Sequence, residues 1–179
     1  DSAATQEDQP VTLTPLGNDS DLDADPLTVT GASAANGQVT INPDGSLHYV
    51  PNPDFTGTDT VTYTIADGHG GSATSTVTIN VAAVNDIPVA QPDSASTSED
   101  TPVTFAVLGN DSDADGDTLT VTTASVDPAK GSVTVNPDGT LTFTPAANVN
   151  GPVAISYTLS DGHGGTSTAT ATVNITAVA

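Results

Sequence analysis

A long internal repeat constrains the fold of this 179-residue chain more than any other feature of its sequence. The stretch DSAATQEDQPVT at residue 1 matches DSASTSEDTPVT at residue 93, and YTIADGHGG at residue 63 matches YTLSDGHGG at residue 157. The offset is therefore 92 residues in the first part of the repeat and 94 in the later part. A unit of this length suits one small domain, so the sequence predicts two tandem domains.

The domain boundaries follow from the stretch AVNDIPVAQP, which joins the two copies. We predict a first domain at residues 1–84, a linker at 85–92 and a second domain at 93–179. The second copy stops just where the next Asn-Asp pair is expected. We therefore expect the sequence to be a piece of a longer array of repeats.

Alternation of apolar and polar residues predicts an all-β fold. DTVTYTIAD and SATSTVTINVAAV alternate over long runs, as half-buried strands do, and GQVTINPDGSLHYVP is typical of a hairpin. About seven strands per unit indicate an immunoglobulin-like sandwich. Aromatic residues make up only 3% and cysteine is absent. The core is therefore thin, and a metal ion is the remaining device that would stabilise it.

The charge of the chain narrows the choice of partner. There are 22 acidic residues and one basic residue, Lys130, and the formal net charge is −21. Nucleic-acid binding requires Lys and Arg for phosphates, and attraction to anionic membranes requires the same residues. No apolar run is long enough to span a membrane. We therefore expect neither partner, and predict a divalent cation instead.

The acids are concentrated in loops. Asp111, Asp113, Asp115 and Asp117 occupy alternate positions, and GNDSDLDADP at residue 17 matches that loop. Calcium binds six to eight oxygen ligands, and alternating aspartates point several carboxylates at one centre. The clusters contain no His or Cys, which disfavours zinc, copper and iron.

Three other interpretations of these loops compete with a calcium site of this kind. An EF-hand is disfavoured because Thr122 stands where the loop needs Glu and no helices flank it. A glycine-rich calcium β-roll is disfavoured because DGHGG does not recur every nine residues. A solvated acidic loop that only keeps the protein soluble remains the alternative.

The order of the motifs resembles that of tandem cadherin-like or bacterial immunoglobulin-like repeats of giant secreted, RTX-type adhesins. An early acid, a D-x-D loop and a DGxGG loop follow one another in both copies, and VNDxP follows the first copy at the joint. The resemblance implies two tandem immunoglobulin/cadherin-like β-sandwiches joined by a short calcium-binding linker. It also implies a calcium-rigidified extender at the bacterial cell surface, with roles in cell adhesion and biofilm formation.

Strand direction, together with the resemblance, indicates which acids share a joint between the two units. We expect the metal ligands there to be Glu7, Asp8, Asp59, Asn85, Asp86, Asp113, Asp115 and Asp161. We expect further metal ligands at the two outer poles, the ends of the units that face away from the joint. They are Asp21, Asp23 and Asp67 in the first copy, and Glu99 and Asp100 in the second. His69 and His163 are interpreted as solvated turn residues.

Two other functions remain open. One is a carbohydrate- or protein-binding module, which would need several exposed rings among Tyr49, Phe55, Tyr63, Phe105, Phe143 and Tyr157. The other is a spacer in a secreted enzyme. The sequence contains no catalytic arrangement, so we predict a protein that is not itself an enzyme. We expect a monomer that has calcium ions and neighbouring repeats as its partners.

Overall fold

The fold is taken from a computed structural model that describes residues 1–178. The chain divides into two units, unit 1 from Asp1 to Val84 and unit 2 from Asn85 to the end of the chain. Within residues 1–178 each unit contains seven strands, and one short 3-10 turn at Pro15–Gly17 is the single helical element. The prediction of an all-β fold is confirmed.

Unit 1 is built from two sheets. Its strands are β1 (Ser2–Gln6), β2 (Val11–Leu13), β3 (Thr28–Ala34), β4 (Gly37–Ile41), β5 (Leu47–Pro51), β6 (Gly57–Ala66) and β7 (Ser72–Ala82). One sheet has the order β1-β7-β6-β3 and the other the order β2-β5-β4. β1 runs parallel to β7, and the other paired strands are antiparallel.

Unit 2 repeats this topology. Its strands are β8 (Asp93–Ser98), β9 (Val103–Phe105), β10 (Thr120–Val126), β11 (Gly131–Val135), β12 (Leu141–Pro145), β13 (Gly151–Ser160) and β14 (Thr166–Thr176). The sheets have the orders β8-β14-β13-β10 and β9-β12-β11. Residues 85–92 precede β8, and Val89 forms a β-bridge with Ser112 in the acidic loop.

Each unit has its own core, which is made by alternate residues of the strands. In β13, Val153, Ile155 and Leu159 are buried, whereas Ala154 and Ser156 between them are exposed. This alternation is that of strands with one face packed on a core. It explains how a chain with few rings still forms two separate sandwiches.

The rings of the sequence are used in these cores. Tyr49, Tyr63, Phe143 and Tyr157 are among the largest fully buried side chains. Phe55 and Phe105 are partly buried and pack against the core of their own unit. An exposed aromatic platform, which a carbohydrate-binding module would need, is therefore not formed by these six rings.

A buried polar cluster distinguishes unit 1 from unit 2. Asp59 is 2% exposed and accepts hydrogen bonds from the Tyr49 hydroxyl at 2.8 Å, the Thr60 amide at 2.8 Å and the Asn36 amide at 3.1 Å. Burial by itself would raise the pKa of Asp59, but these hydrogen bonds outweigh it and lower the pKa.

The same positions in unit 2 are apolar. Phe143 replaces Tyr49 and Val153 replaces Asp59, and both are buried. Unit 1 therefore stabilises a buried charged carboxylate with neutral donors, whereas unit 2 has neither the carboxylate nor the hydroxyl donor at these positions.

This difference predicts a strong coupling between Tyr49 and Asp59. Tyr49→Phe removes a donor to a buried charge, so we expect it to cost unit 1 about 1.5–3 kcal/mol. In an Asp59→Val background the same substitution reproduces the pair found in unit 2, and we expect it to cost little. Native-state hydrogen exchange of the β6 amides measures the stability of unit 1, and the β13 amides are the control. An equal cost of Tyr49→Phe in both backgrounds would contradict the coupling.

Candidate functional site

The acidic loop of unit 2 folds around one carboxylate oxygen. Asp113 Oδ1 accepts hydrogen bonds from the Asp115 amide at 3.0 Å and the Asp117 amide at 3.2 Å. Gly116 has a φ of 76°, a left-handed conformation that glycine adopts without strain. The alternating acids are therefore held in a fixed turn, with Asp113 at its centre.

The other oxygens of this loop converge. One carboxylate oxygen from each of Asp113, Asp115 and Asp117 lies within 4.8 Å of the other two. Within residues 1–178, the buried Oδ2 atoms of Asp113 and Asp111 have no hydrogen-bond partner. A buried anionic oxygen without a donor is costly, and Lys130 is the single Lys or Arg of the sequence. The loop therefore has the donor set and the unmet charge that a hard divalent cation fits.

Asp161 lies in the DGHGG loop of unit 2 and is 3% exposed. Its Oδ1 accepts the amides of His163 at 2.7 Å and Gly165 at 3.0 Å, and its Oδ2 accepts the Asn85 side-chain amide at 2.8 Å. The Asn85 hydrogen bond lowers the pKa of Asp161, and the amides of His163 and Gly165 add to this against the effect of burial. Asp161 is thus held ionised beside Asn85.

Residues 85–91 donate backbone hydrogen bonds to acids of the acidic loop. The Asp86 amide donates to Asp115 Oδ2 at 2.7 Å, and the Gln91 amide donates to Asp111 Oδ1 at 2.7 Å. The structure therefore brings five predicted ligands together in unit 2, namely Asn85, Asp86, Asp113, Asp115 and Asp161.

Unit 1 contains the matching loops at Asp21 and Asp67. Asp21 Oδ1 accepts the Asp23 amide at 2.8 Å, and Asp67 Oδ1 accepts the amides of His69 at 2.7 Å and Gly71 at 2.9 Å. The hydrogen bond from the His69 amide contributes most to a lowered pKa of Asp67. The outer-pole acids of unit 1 thus have the same local geometry as their counterparts in unit 2.

Glu7 and Glu99, which follow the first strand of their units, lie where the last strand of each unit ends. The Glu7 carboxylate is buried and accepts the Val84 amide, while the Glu7 amide donates to Ala82 O at 2.9 Å. In unit 2, Glu99 Oε1 accepts the Val178 amide at 2.8 Å. Strand direction had predicted this end of the unit for both acids.

The remaining three predicted ligands have other surroundings. Asp8 and Asp100 have left-handed φ values of 57° and 61°, and Asp100 Oδ1 accepts the Asn148 amide at 3.1 Å. Asp8 is exposed. Asp59 lies in the core of unit 1 and uses both of its oxygens to accept hydrogen bonds from neutral donors.

Sequence reasoning did not predict the two histidine contacts. His163 Nδ1 lies 2.8 Å from Asp117 Oδ2, and His69 Nδ1 lies 3.1 Å from Asp25 Oδ2. Both histidine side chains are more than half exposed, so each contact adds little stability. Strand direction could have indicated these contacts. The DGHGG loop and the acidic loop both follow strands that run the same way, so both loops lie at the same end of their unit.

The contact between the buried Tyr157 and the Asp93 carboxylate was also not predicted. The Tyr157 hydroxyl lies 2.8 Å from both Asp93 Oδ2 and Gln91 O. Burial raises the pKa of Asp93, the Tyr157 hydrogen bond opposes this, and the charge of Asp111 raises it further. The matching hydroxyl, that of Tyr63, is 3.0 Å from Asp19 Oδ2.

Each unit matches a known domain family. A family described as cadherin-like domain matches residues 84–176, and one described as bacterial Ig domain matches residues 1–80. The first match covers more than half of the chain, so the chain belongs to the cadherin-like family. A search of curated proteins finds no match.

Two solved structures, both of cadherin repeats, have the same fold. Human CDH23 EC21-23 has 16% identity and a TM-score of 0.58, and the match covers 98% of this chain and 72% of that one. Human Mucin-like Protocadherin EC1-2 has 17% identity and a TM-score of 0.52, with 99% and 96% covered. Endo-fucoidan hydrolase MfFcnA4 has 22% identity and a TM-score of 0.43, and this chain, matched over 99% of its length, spans only 27% of that chain. Within residues 1–178, no helix has the length and hydropathy of a membrane span.

The Asn85 contact predicts how Asp161 titrates. We expect Asn85→Ala to raise the pKa of Asp161 towards the ordinary carboxyl value of about 3.9, because the largest lowering contact is lost. A carboxyl whose pKa is lowered in the folded state stabilises the fold at pH values above its ordinary pKa. This stabilisation is lost as the pH falls through the folded-state pKa. Carboxyl carbon NMR in EDTA measures the shift, and Asp67 is the internal control. An unchanged Asp161 titration would show that Asn85 does not set it.

Proposed function

We propose that this chain is a pair of calcium-rigidified extender repeats of a bacterial cell-surface adhesin. The observation that carries the proposal is the loop in which carboxylate oxygens of Asp113, Asp115 and Asp117 converge and Asp113 Oδ2 is buried without a donor. Cadherin-like and bacterial Ig domains are usually extracellular and typically non-catalytic, which supports a structural role in adhesion outside the cell.

Calcium is the ion that suits these ligands. The converging groups are all carboxylates, which are hard donors, and each nearby histidine is paired with a single carboxylate, that of Asp117 or Asp25. Asp113, Asp115 and Asp117 would hold an ion in unit 2. Its charge would offset their mutual repulsion, which no Lys or Arg of the loop offsets.

We further propose that acids of both units share calcium at the joint. Glu7 accepts the amide of Val84, the last residue of unit 1. Asn85 and Asp86, the first residues of unit 2, donate to Asp161 and Asp115. These three joint residues are consecutive, so a single peptide segment connects both sets of acids. Asp8 belongs to the proposed set, whereas Asp59 does not, because neutral donors already use its oxygens.

The proposed ion would act on both stability and stiffness. At a calcium concentration about 100-fold above Kd, each site adds roughly 2.7 kcal/mol to the free energy of unfolding. This is a large share of the stability of a thin domain. Outside the cell the acids would be neutralised and the joint fixed, and the repeats would project an adhesive tip in an RTX-type adhesin that promotes biofilm formation.

The substitution Asp115→Asn is expected to have opposite effects with and without calcium. In EDTA it removes a like charge from the loop, so we expect a higher melting temperature for unit 2. In millimolar calcium it removes a ligand, so we expect a smaller calcium-induced rise than the wild-type rise of about 10 °C or more. Differential scanning calorimetry, with hydrogen exchange to assign each transition to its unit, measures both effects.

Asp127→Asn is the matched control, because Asp127 is an exposed turn acid outside the clusters. We expect it to leave the calcium-induced rise unchanged. If both variants changed that rise equally, or if calcium stabilised no more than an equal ionic strength of potassium chloride, the acids would be a solvated surface and the proposal would fail.

A further inference from the structure

The hydroxyl of Tyr157 faces two acceptors and has a single proton. Tyr157 Oη lies 2.8 Å from Gln91 O and 2.8 Å from Asp93 Oδ2. A backbone carbonyl only accepts hydrogen bonds, and so does an ionised carboxylate. One proton cannot make a straight hydrogen bond to both oxygens. While Asp93 is ionised, this buried contact therefore contains one acceptor too many.

A proton on Asp93 resolves the mismatch. A protonated carboxyl has an O–H donor, and the oxygen of a tyrosine hydroxyl accepts one hydrogen bond while its own O–H donates another. Asp93 Oδ2 then donates to Tyr157 Oη, and Tyr157 donates to Gln91 O. Both short oxygen–oxygen contacts then have a proton of their own.

The surroundings of Asp93 favour its protonated form. Burial raises the pKa of Asp93 most, the hydrogen bond from Tyr157 lowers it, the charge of Asp111 raises it, and a hydrogen bond from Asn110 lowers it. The net effect is a pKa above the ordinary carboxyl value. Within residues 1–178, Asp111 Oδ2 is buried without a hydrogen-bond partner, so no donor offsets the charge at that oxygen.

The other elements packed on β8 add no charge near Asp93. β14 places Ala171 opposite Asp93, and β9 contains no titratable residue. The titratable groups that act on Asp93 are Tyr157 on β13 and Asp111 on the acidic loop. Burial and the two carboxylates raise the pKa of Tyr157, so its hydroxyl keeps its proton while Asp93 titrates.

Gln91 connects this cluster to the acidic loop. Its amide donates to Asp111 Oδ1 at 2.7 Å, and its carbonyl oxygen faces the Tyr157 hydroxyl. The next carbonyl oxygen, that of Pro92, accepts a hydrogen bond from Asn110 Nδ2 at 3.1 Å. The backbone directly before β8 is therefore held by the acidic loop on one side and by a buried side chain of β13 on the other.

We propose that a proton on Asp93 decides which acceptor the Tyr157 hydroxyl serves. With the proton, Tyr157 donates to Gln91 O and holds the backbone before β8. Without it, Tyr157 donates to the Asp93 carboxylate, and Gln91 O loses its donor. Unit 2 thus contains a pH-sensitive contact between residue 91 and its core. The inference does not rest on the proposed function, because none of these three residues is a proposed calcium ligand.

The direction of the pKa shift sets the sign of the pH dependence. A carboxyl whose pKa is raised in the folded state stabilises the fold fully below its unfolded-state pKa. This stabilisation is lost as the pH rises through the folded-state pKa. We therefore expect the hydrogen bond from Tyr157 to Gln91 O to be intact in acid and to be lost as the pH rises through the pKa of Asp93.

The test is a carbon-13 NMR titration of the full chain in EDTA, over a pH range that brackets the ordinary carboxyl pKa of about 3.9. We expect the carboxyl carbon of Asp93 to titrate above that value. The backbone carbonyl carbon of Gln91 and the ring carbon Cζ of Tyr157 should shift with the same midpoint, because one proton changes both hydrogen bonds.

Two variants separate this switch from a general effect of pH. Asp93→Asn replaces the O–H donor by a permanent N–H donor, so we expect the Gln91 carbonyl shift to stay at its wild-type acid value at every pH. Tyr157→Phe removes the hydroxyl, so the Gln91 carbonyl should no longer follow Asp93. Asp127→Asn, at an exposed turn, is the matched control and should leave the titrations of Asp93 and Gln91 unchanged.

Three results would overturn the proposal. They are an Asp93 carboxyl that titrates at or below about 3.9, a Gln91 carbonyl that does not shift with Asp93, and an Asp93→Asn variant in which the Gln91 carbonyl keeps its wild-type titration. Because the titration is done in EDTA, failure of the proposed calcium sites would leave its outcome unaffected.

Discussion

Repulsion between carboxylates is the constraint on which the loops of this protein depend. The sequence contains 22 acidic residues and one basic side chain of the Lys or Arg type. Backbone amides organise the acids, as those of Asp115 and Asp117 do around Asp113. They satisfy some oxygens but supply no positive charge. The proposed calcium ion would offset the remaining repulsion, and its binding would make the acidic loops a source of stability.

The two copies show that this sandwich tolerates different cores and edges. Unit 1 buries an ionised Asp59 beneath Tyr49, whereas unit 2 has Val153 and Phe143 at those positions. In unit 2, residues 85–91 also donate hydrogen bonds to the acidic loop and to Ser167. The repeated strands set the architecture, and the local differences in the core set how each unit is stabilised.

Much of this architecture follows from patterns that are local in sequence. Alternation in β6 and β13 predicted half-buried strands, and the 92- and 94-residue offsets predicted two units. Strand direction predicted that Glu7 lies at the end of β7 and that the DGHGG loop of Asp161 lies beside the acidic loop.

What the sequence did not predict depends on which donors meet in three dimensions. Asp59 has the same residue type as the loop acids, yet its position opposite Tyr49 makes it part of the core. The contact between His163 and Asp117 joins residues 46 apart in sequence. Neither partner could be recognised from residue type alone, because a side chain's role depends on its neighbours in the folded unit.

We propose that calcium fixes the joint between the units, and small-angle X-ray scattering tests this proposal most directly. One sample of the full chain is measured in EDTA, then in millimolar calcium, with potassium chloride of equal ionic strength as the control. We expect calcium, and not potassium chloride, to narrow the distribution of distances between the two units. A distribution that stays equally broad when calcium is bound would contradict it.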